Sequence, residues 1–300
     1  MFSETKRPLS TFLDKFISIQ KDADFCSIGK IPTRLPGRLV PVGGKKYIPE
    51  LFKEIGSIAA VICTPEVATE IPPHLGCAVA TDPLQVSYEI HRELVADDEF
   101  WVHFESRIHP SARIHPGAFI APRDVIIGAN TVVEPLASVH ERSVVGDDCF
   151  IGAGTVIGSA AYEMGILAGQ PTLLPQAGGV RIGRNCVFLA NCTVARSIFP
   201  IFTEIGDYCS FDNLVHVAHD CVLGQGVKMT ACSMLSGRVT LMDGAYLGPN
   251  STISNGLTVG RKAIVTIGSV VVRDVPDGAR VTGNFAIPHG EHLKRQVGRR

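Results

Sequence analysis

Large apolar residues recur at every sixth position through much of the chain. From residue 205 the series runs without a break: Ile205, Phe211, Val217, Leu223, Met229, Leu235, Leu241, Leu247, Ile253, Val259, Val265 and Val271. An earlier series has the same step, with one extra residue after its third member: Ile108, Ile114, Ile120, Ile127, Val133, Val139, Val145, Ile151 and Ile157. An α-helical stripe repeats about every 3.6 residues, so a period of six is instead typical of short stacked strands.

Three such strands make one coil, so residues 18 apart are expected to lie over one another, about 4.8 Å apart. Each strand buries one apolar residue, and Gly, Asn or Asp eases the corner that follows. A single coil cannot bury its own core, so only the stack is stable. The spacing therefore predicts a parallel β-helix over residues 105–283, although it determines neither handedness nor oligomeric state.

The six-residue register breaks in two further places. Residues 159–181 form a long excursion between coils, and residues 195–204 are one position out of register. In repeat proteins such insertions form loops on one face, which is often the binding face.

The first 104 residues show no six-residue repeat. Residues 61–63 and 78–81 have the composition of strand cores, and residues 83–95 have apolar residues at helical spacing. Asp82 precedes a first-turn proline and is a predicted N-cap. These features predict a small N-terminal α/β domain over residues 1–104. Residues 284–300 are predicted to be a short basic tail that contains Lys294, Arg295, Arg299 and Arg300.

The charge of the chain is balanced, with 28 basic and 29 acidic residues among 300. Nucleic-acid binding usually needs a basic face, so no nucleic-acid partner is expected. No segment reaches the roughly 18 apolar residues of a membrane span, and the first residues lack the apolar core of a signal peptide. We therefore expect a cytoplasmic protein without a membrane span.

Nine cysteines are present and none forms a C-x-x-C pair. In the cytoplasm they are expected to be reduced. Several fall at an inward-facing position of the repeat, where a thiol acts as a small apolar residue: Cys149, Cys186, Cys192, Cys209 and Cys221.

Two motifs carry a family resemblance: LPQAGGVRIG at residues 174–183 and FDNLVHVAHDCVLG at residues 211–224. With the repeats and the N-terminal domain, they resemble the UDP-3-O-(3-hydroxyacyl)glucosamine N-acyltransferases of lipid A synthesis. The second motif, and GNFAIPHG at 283–290, are also similar to the sister O-acyltransferases. The resemblance implies a left-handed β-helix and a homotrimer with active sites between subunits. It also implies acyl transfer from a thioester to the amine of a UDP-linked amino sugar.

The resemblance assigns roles to individual residues. His219 is the expected general base, and Asp220 is expected to orient it, provided that a corner turns both side chains the same way. Gly237 follows 18 residues later and is expected to lie over His219, with its N–H as oxyanion donor; the alternative is a simple corner glycine. His216 and Asn213 are expected to contact substrate.

In the N-terminal domain, Lys46 and Tyr47 resemble the Lys-Tyr pair of the family's uracil pocket. Tyr47 is expected to stack on uracil, or else to be an ordinary surface tyrosine. The histidines that follow an apolar repeat position, namely His109, His115 and His140, are expected to be corner residues.

The chain departs from the family pattern in three places. Leu257 follows the Asn255-Gly256 pair where the family has a second active-site histidine. The sequence IFPIFT at residues 198–203 replaces the family's loop of acidic and hydroxyl residues before the central coils. The C-terminal extension that docks acyl carrier protein is nearly absent, and the tail looks like that of sugar acetyltransferases that use coenzyme A. The donor is thus acyl-CoA, which is slightly favoured, or acyl carrier protein. No tightly bound cofactor and no metal are expected.

Two other functions stay open. A non-catalytic nucleotide-sugar-binding or scaffold protein is compatible with the missing second histidine. A zinc hydratase of the γ-carbonic anhydrase type shares the fold, but it needs three imidazoles, and no histidine follows His219 before His289.

Overall fold

A parallel β-helix of the left-handed, hexapeptide-repeat type forms the larger part of the protein, as predicted. The computed structural model describes residues 1–167, 169–283, 286, 288–291 and 294. Within them the strands of the β-helix form three parallel sheets, here called faces 1 to 3.

Each face collects one strand from successive coils. Face 1 contains Arg107–Ile108, Val125–Ile127, Ser143–Val145, Gly179–Ile182, Phe202–Ile205, Val222–Leu223, Thr240–Leu241 and Thr258–Val259. Face 2 contains Arg113–Ile114, Val132–Val133, Phe150–Ile151, Val187–Phe188, Ser210–Phe211, Lys228–Met229, Tyr246–Leu247, Ile264–Val265 and Arg280–Val281. Face 3 contains Phe119–Ile120, Ser138–Val139, Val156–Ser159, Thr193–Ala195, His216–Val217, Met234–Leu235, Thr252–Ile253 and Val270–Val271.

The predicted stacking of residues 18 apart is confirmed. On face 3, His216 pairs with Met234, which in turn pairs with Thr252. The apolar series points inward, since every member from Ile205 to Val271 is buried. The five cysteines predicted to face inward are buried in the same core. The first coil is looser, with Ile108 exposed, because no coil lies beneath it.

The N-terminal domain is α/β, as predicted, and is built on one mixed sheet. Its strands lie in the order Ser18–Lys21, Gly76–Val79, Ile58–Cys63, Arg38–Val42 and Ser27–Ile28, with the first strand antiparallel to its neighbour. Another short antiparallel pair joins Arg7–Pro8 and Asp24–Phe25. The helices are α1 (Ile48–Glu54) and α2 (Pro83–Ala96), with 3-10 turns at Leu9–Lys15, Lys45–Tyr47, Ile55–Ser57 and Pro65–Glu70.

The predicted elements of this domain are present, with shifted ends. The strand expected at 78–81 spans Gly76–Val79, because the chain must turn after it into α2. Asp82 caps α2 as predicted, since its side chain accepts a hydrogen bond of 3.0 Å from the Gln85 N–H. No helix within the described ranges is long and apolar enough to cross a bilayer.

The excursion carries an antiparallel hairpin of strands Met164–Leu167 and Gln170–Leu173. It ends slightly before the predicted residue 181, because Gly179–Ile182 already pairs with Ser143–Val145 on face 1. Leu167 and Leu174 are buried in one cluster with Tyr88 of α2. The excursion therefore fastens the N-terminal domain onto the β-helix.

Candidate active site

A corner of the β-helix positions His219 and Asp220. The chain leaves face 3 after His216–Val217 and reaches face 1 at Val222–Leu223. Asp220 has a φ of 59°, the left-handed conformation that Asp tolerates at tight corners. Its N–H donates to Thr203 Oγ1 at 3.0 Å, which fixes the corner to the coil below.

This corner turns the two adjacent side chains toward each other, as the sequence analysis required. His219 Nδ1 lies 2.8 Å from Asp220 Oδ2. Because a carboxylate only accepts hydrogen bonds, Nδ1 carries the proton and donates a hydrogen bond to Asp220 Oδ2, which leaves the Nε2 lone pair free. The ring is 8% exposed, so its position is well constrained. The pair has the geometry of a general base with an orienting carboxylate.

Gly237 lies on the next coil, directly over the His219 ring. A Cβ on Gly237 would stand 2.5 Å from His219 Nε2, so no other residue fits without displacing the imidazole. The N–H of Arg238, the next residue, donates a hydrogen bond to the His219 carbonyl at 2.9 Å, which fixes the register between the two coils. Within the described residues the Gly237 N–H donates no hydrogen bond and is free to bind an oxyanion.

A residue of the excursion, Glu163, reaches back to the same imidazole. Its Oε1 accepts hydrogen bonds from Lys30 Nζ at 2.6 Å and from the Tyr88 hydroxyl at 2.9 Å. Its Oε2 lies 3.8 Å from both His219 Nε2 and Arg238 Nη1, beyond hydrogen-bond distance. Burial raises the pKa of Glu163, but Lys30 and Tyr88 outweigh burial and hold that pKa below its usual value.

His216 and Asn213 occupy different positions relative to this pair. His216 is half-buried on the strand that leads to His219, and burial, with a smaller contribution from the neighbouring His219, lowers its pKa. Asn213 lies at the preceding corner, between faces 2 and 3, where its Oδ1 accepts from the Ala190 N–H at 3.1 Å. The structure therefore does not bring Asn213 next to His219 within one chain.

Tyr47 lines a cleft of about 480 Å³ between the N-terminal domain and the β-helix. It is 37% exposed at the end of a 3-10 turn, and Lys46 Nζ lies 4.9 Å from its ring centre. Arg238 and Asn255 line the other side of the cleft. Asn255 Oδ1 also lies 3.2 Å from the position that a Cβ on Gly237 would take, so Asn255 adjoins both this cleft and the His219 site.

Several residues of this site were missed by the sequence analysis: Lys30, Tyr88, Glu163, Arg238 and Asn255. The 18-residue spacing could have identified Arg238 and Asn255, because Arg238 lies one coil after Asp220 and Asn255 lies one coil after Gly237. No comparable signal existed for the other three, which come from elements without a repeat.

Residues 198–202 pack within the chain. Ile198 and Phe199 are buried, and the Phe199 ring meets His91 edge-on with centres 5.3 Å apart. The Ile198 N–H lies 3.3 Å from Asp220 Oδ1 and donates to it. This segment therefore supports the corner from behind.

The remaining histidines are dispersed. His109 and His115 are exposed at corners, as predicted, and His140 is half-buried with its ring centre 5.7 Å from that of Phe119. No group of three or more His, Cys, Asp or Glu residues in the described part of the chain could hold a metal ion.

Comparison with known proteins agrees with this architecture. The family described as "Bacterial transferase hexapeptide (six repeats)" matches residues 124–159. A UDP-3-O-acylglucosamine N-acyltransferase of Caulobacter sp. strain K31 is 37% identical over 149 residues, which are 49% of this chain and 43% of that protein. The one from Maricaulis maris is 32% identical over 152 residues, or 51% of this chain and 44% of that protein.

Among solved structures, UDP-N-acetylglucosamine acyltransferase from Campylobacter jejuni aligns with a TM-score of 0.49 at 23% identity. That alignment covers 64% of this chain and 83% of the other. The chain spans less than half the length of the two curated relatives that it matches.

Proposed function

We propose that this hexapeptide-repeat protein is an N-acyltransferase that moves an acyl group from a thioester to the amine of a UDP-linked amino sugar. The observation that carries the proposal is the His219–Asp220 pair beneath Gly237. A base with a free Nε2 and an unpaired backbone N–H above it are the two groups that acyl transfer needs. The similarity to N-acyltransferases over half of the chain supports the same chemistry.

The geometry suggests how the reaction proceeds. His219 Nε2 takes a proton from the acceptor amine as its nitrogen attacks the thioester carbonyl and the C–N bond forms. The carbonyl oxygen becomes an oxyanion that accepts a hydrogen bond from the Gly237 N–H. The C–S bond then breaks, and the leaving sulfur receives the proton from His219, which gives an amide and a free thiol. Asp220 holds the ring throughout and stabilises the imidazolium.

The acceptor is proposed to lie in the interdomain cleft. Tyr47 offers an aromatic face for uracil at the far end, with Lys46 beside it. Lys30 and Arg238 supply positive charge between Tyr47 and His219, where a diphosphate would lie. The amino sugar then reaches the imidazole.

The donor is proposed to be an acyl-CoA or an acyl carrier protein, with a slight preference for a short acyl-CoA. A carrier protein is acidic and docks on basic surface. Of the basic residues at the chain end, Lys294 is exposed, whereas Arg295, Arg299 and Arg300 lie outside the described residues. We further propose a homotrimer, in which a neighbouring subunit would complete the donor site.

A matrix of donors and acceptors tests the proposal. The protein is incubated with UDP-glucosamine or its 3-O-acyl derivative and with acetyl-CoA or hydroxyacyl carrier protein, and the products are identified by mass spectrometry. An acylated nucleotide sugar that resists hydroxylamine, which cleaves esters, identifies an amide. Removal of the residues after Gly290 is then expected to leave acetyl-CoA use unchanged. A nucleotide sugar that binds but is never acylated would favour the non-catalytic binding protein instead.

A further inference from the structure

Two hydrogen-bond acceptors face each other at the centre of the site. Glu163 Oε2 and His219 Nε2 are separated by 3.8 Å, and within the described residues neither accepts a hydrogen bond. A single donor atom can lie about 2.9 Å from both, because their separation is less than twice that distance. This pair of acceptors is therefore suited to a group that carries two hydrogens on one atom.

The carboxylate is held firmly for this role. Its other oxygen, Oε1, is bound by Lys30 Nζ and the Tyr88 hydroxyl, which come from two different segments of the N-terminal domain. The Glu163 side chain is 16% exposed. Arg238 Nη1 is buried, faces Oε2 from the β-helix, and has no hydrogen-bond partner in the described part of the chain. Glu163 Oε2 is therefore fixed in position but accepts no hydrogen bond within the described residues, so it is available to a ligand.

We propose that Glu163 selects an amine over a hydroxyl as the acceptor, by accepting the second N–H of the nitrogen whose first N–H points to His219. This inference rests on the proposed N-acyl transfer and names the feature that makes it N-specific. Glu163 takes no proton in the step. It orients the nitrogen so that its lone pair points at the thioester carbon.

A hydroxyl cannot satisfy both acceptors. Its only hydrogen must point to His219 for the oxygen to become nucleophilic, and its lone pairs then face the ionised Glu163. A buried acceptor left without a hydrogen is strongly unfavourable. The charged and titratable groups that face Glu163 are Lys30, Tyr88, Arg238 and His219, and Asp82 lines a neighbouring pocket together with Glu163. Lys30 and Arg238 keep it anionic, and burial beside Glu163 raises the pKa of Tyr88, which therefore stays a donor.

The Glu163→Gln variant tests the inference. Lys30 and Tyr88 keep the amide oxygen on their side, so the variant turns an NH₂ donor toward His219 in place of the acceptor. With UDP-glucosamine and UDP-glucose as matched acceptors, kcat/KM for the amine is expected to fall about 10-fold or more, and the amine-to-hydroxyl ratio is expected to fall with it. Glu163→Asp, which keeps the carboxylate, is expected to retain the preference. The control is Glu93→Gln on α2, which breaks an ion pair of 2.6 Å with Lys15 and is expected to change neither quantity.

The outcomes separate the inference from the proposed function. If wild-type protein acylates the amine and Glu163→Gln leaves the amine-to-hydroxyl ratio unchanged, or lowers both activities equally, Glu163 only supports the fold and the inference is overturned. If wild-type protein acylates neither UDP-glucosamine nor its 3-O-acyl derivative with any thioester, the proposed function fails, and the inference fails with it.

Discussion

Gly237 leaves the space that the His219 ring occupies, since a Cβ on Gly237 would lie 2.5 Å from Nε2 and 2.6 Å from Cε1. The two residues are 18 positions apart, which is one coil of the β-helix. A side chain on Gly237 would therefore act on the base and on the oxyanion site together, while most of the core remained unchanged.

This contact predicts the effect of Gly237→Ala. The added methyl group must push the imidazole from its place beside Asp220, so turnover is expected to fall about 10²-fold or more. Overpacking is expected to cost about 1–3 kcal/mol of unfolding free energy, measured by urea denaturation. Gly56→Ala, where a Cβ would meet nothing within 4 Å, is the control. Normal turnover in Gly237→Ala would show that the ring need not stay where it is.

Tyr47 provides a test of the nucleotide end of the cleft. If it stacks on uracil, Tyr47→Ala is expected to raise KM for the UDP-sugar about 5- to 150-fold with little change in kcat, because stacking on a base contributes about 1–3 kcal/mol. Tyr47→Phe keeps the aromatic face and is expected to behave like wild type. Phe52→Ala removes another exposed aromatic ring, 51% accessible, from α1 and serves as the control. An unchanged KM in Tyr47→Ala would mean that the uracil binds elsewhere.

His91 gives the protein a specific dependence of stability on pH. This residue of α2 is buried, and its Nε2–H donates to the Pro175 carbonyl of the excursion at 2.8 Å. Burial lowers the pKa of His91 to about 4, against about 6.5 in an unfolded chain. Between these values the unfolded chain binds a proton that the folded one does not. Neutral His91 therefore leaves the unfolding free energy at its full value above pH 6.5. As the pH falls toward 4, this free energy decreases by roughly 3 kcal/mol.

The measurement is urea unfolding at pH 6.5, 5.5 and 4.5. His91→Gln keeps a donor for Pro175 but does not titrate, so its unfolding free energy is expected to fall less steeply over this range. His109→Gln, at an exposed corner, is expected to keep the wild-type slope. Equal slopes in all three proteins would show that His91 does not control this transition.

The repeating coils of the β-helix were the part of the fold that could be predicted from the sequence. Because each coil repeats the environment of the coil below it, the step of 18 residues from His219 to Gly237 is sufficient to predict their contact. Asn213 shows the limit of that reasoning, since a motif in the sequence does not specify at which corner each of its members lies. Glu163 lies 133 residues from Lys30 and 75 from Tyr88, and contacts over such separations arise from tertiary packing that no local pattern encodes.

The central claim is that His219 is the base of an N-acyl transfer, and its turnover measures that claim most directly. Rates of amide formation on UDP-glucosamine or its 3-O-acyl derivative, with the thioester that wild-type protein uses best, are compared for wild type, His219→Ala and the corner control His109→Ala. We expect wild-type rates for His109→Ala and a loss of about 10²-fold or more for His219→Ala, with cooperative urea unfolding that shows all three proteins to be folded in the assay. Near-normal turnover in His219→Ala would contradict the central claim.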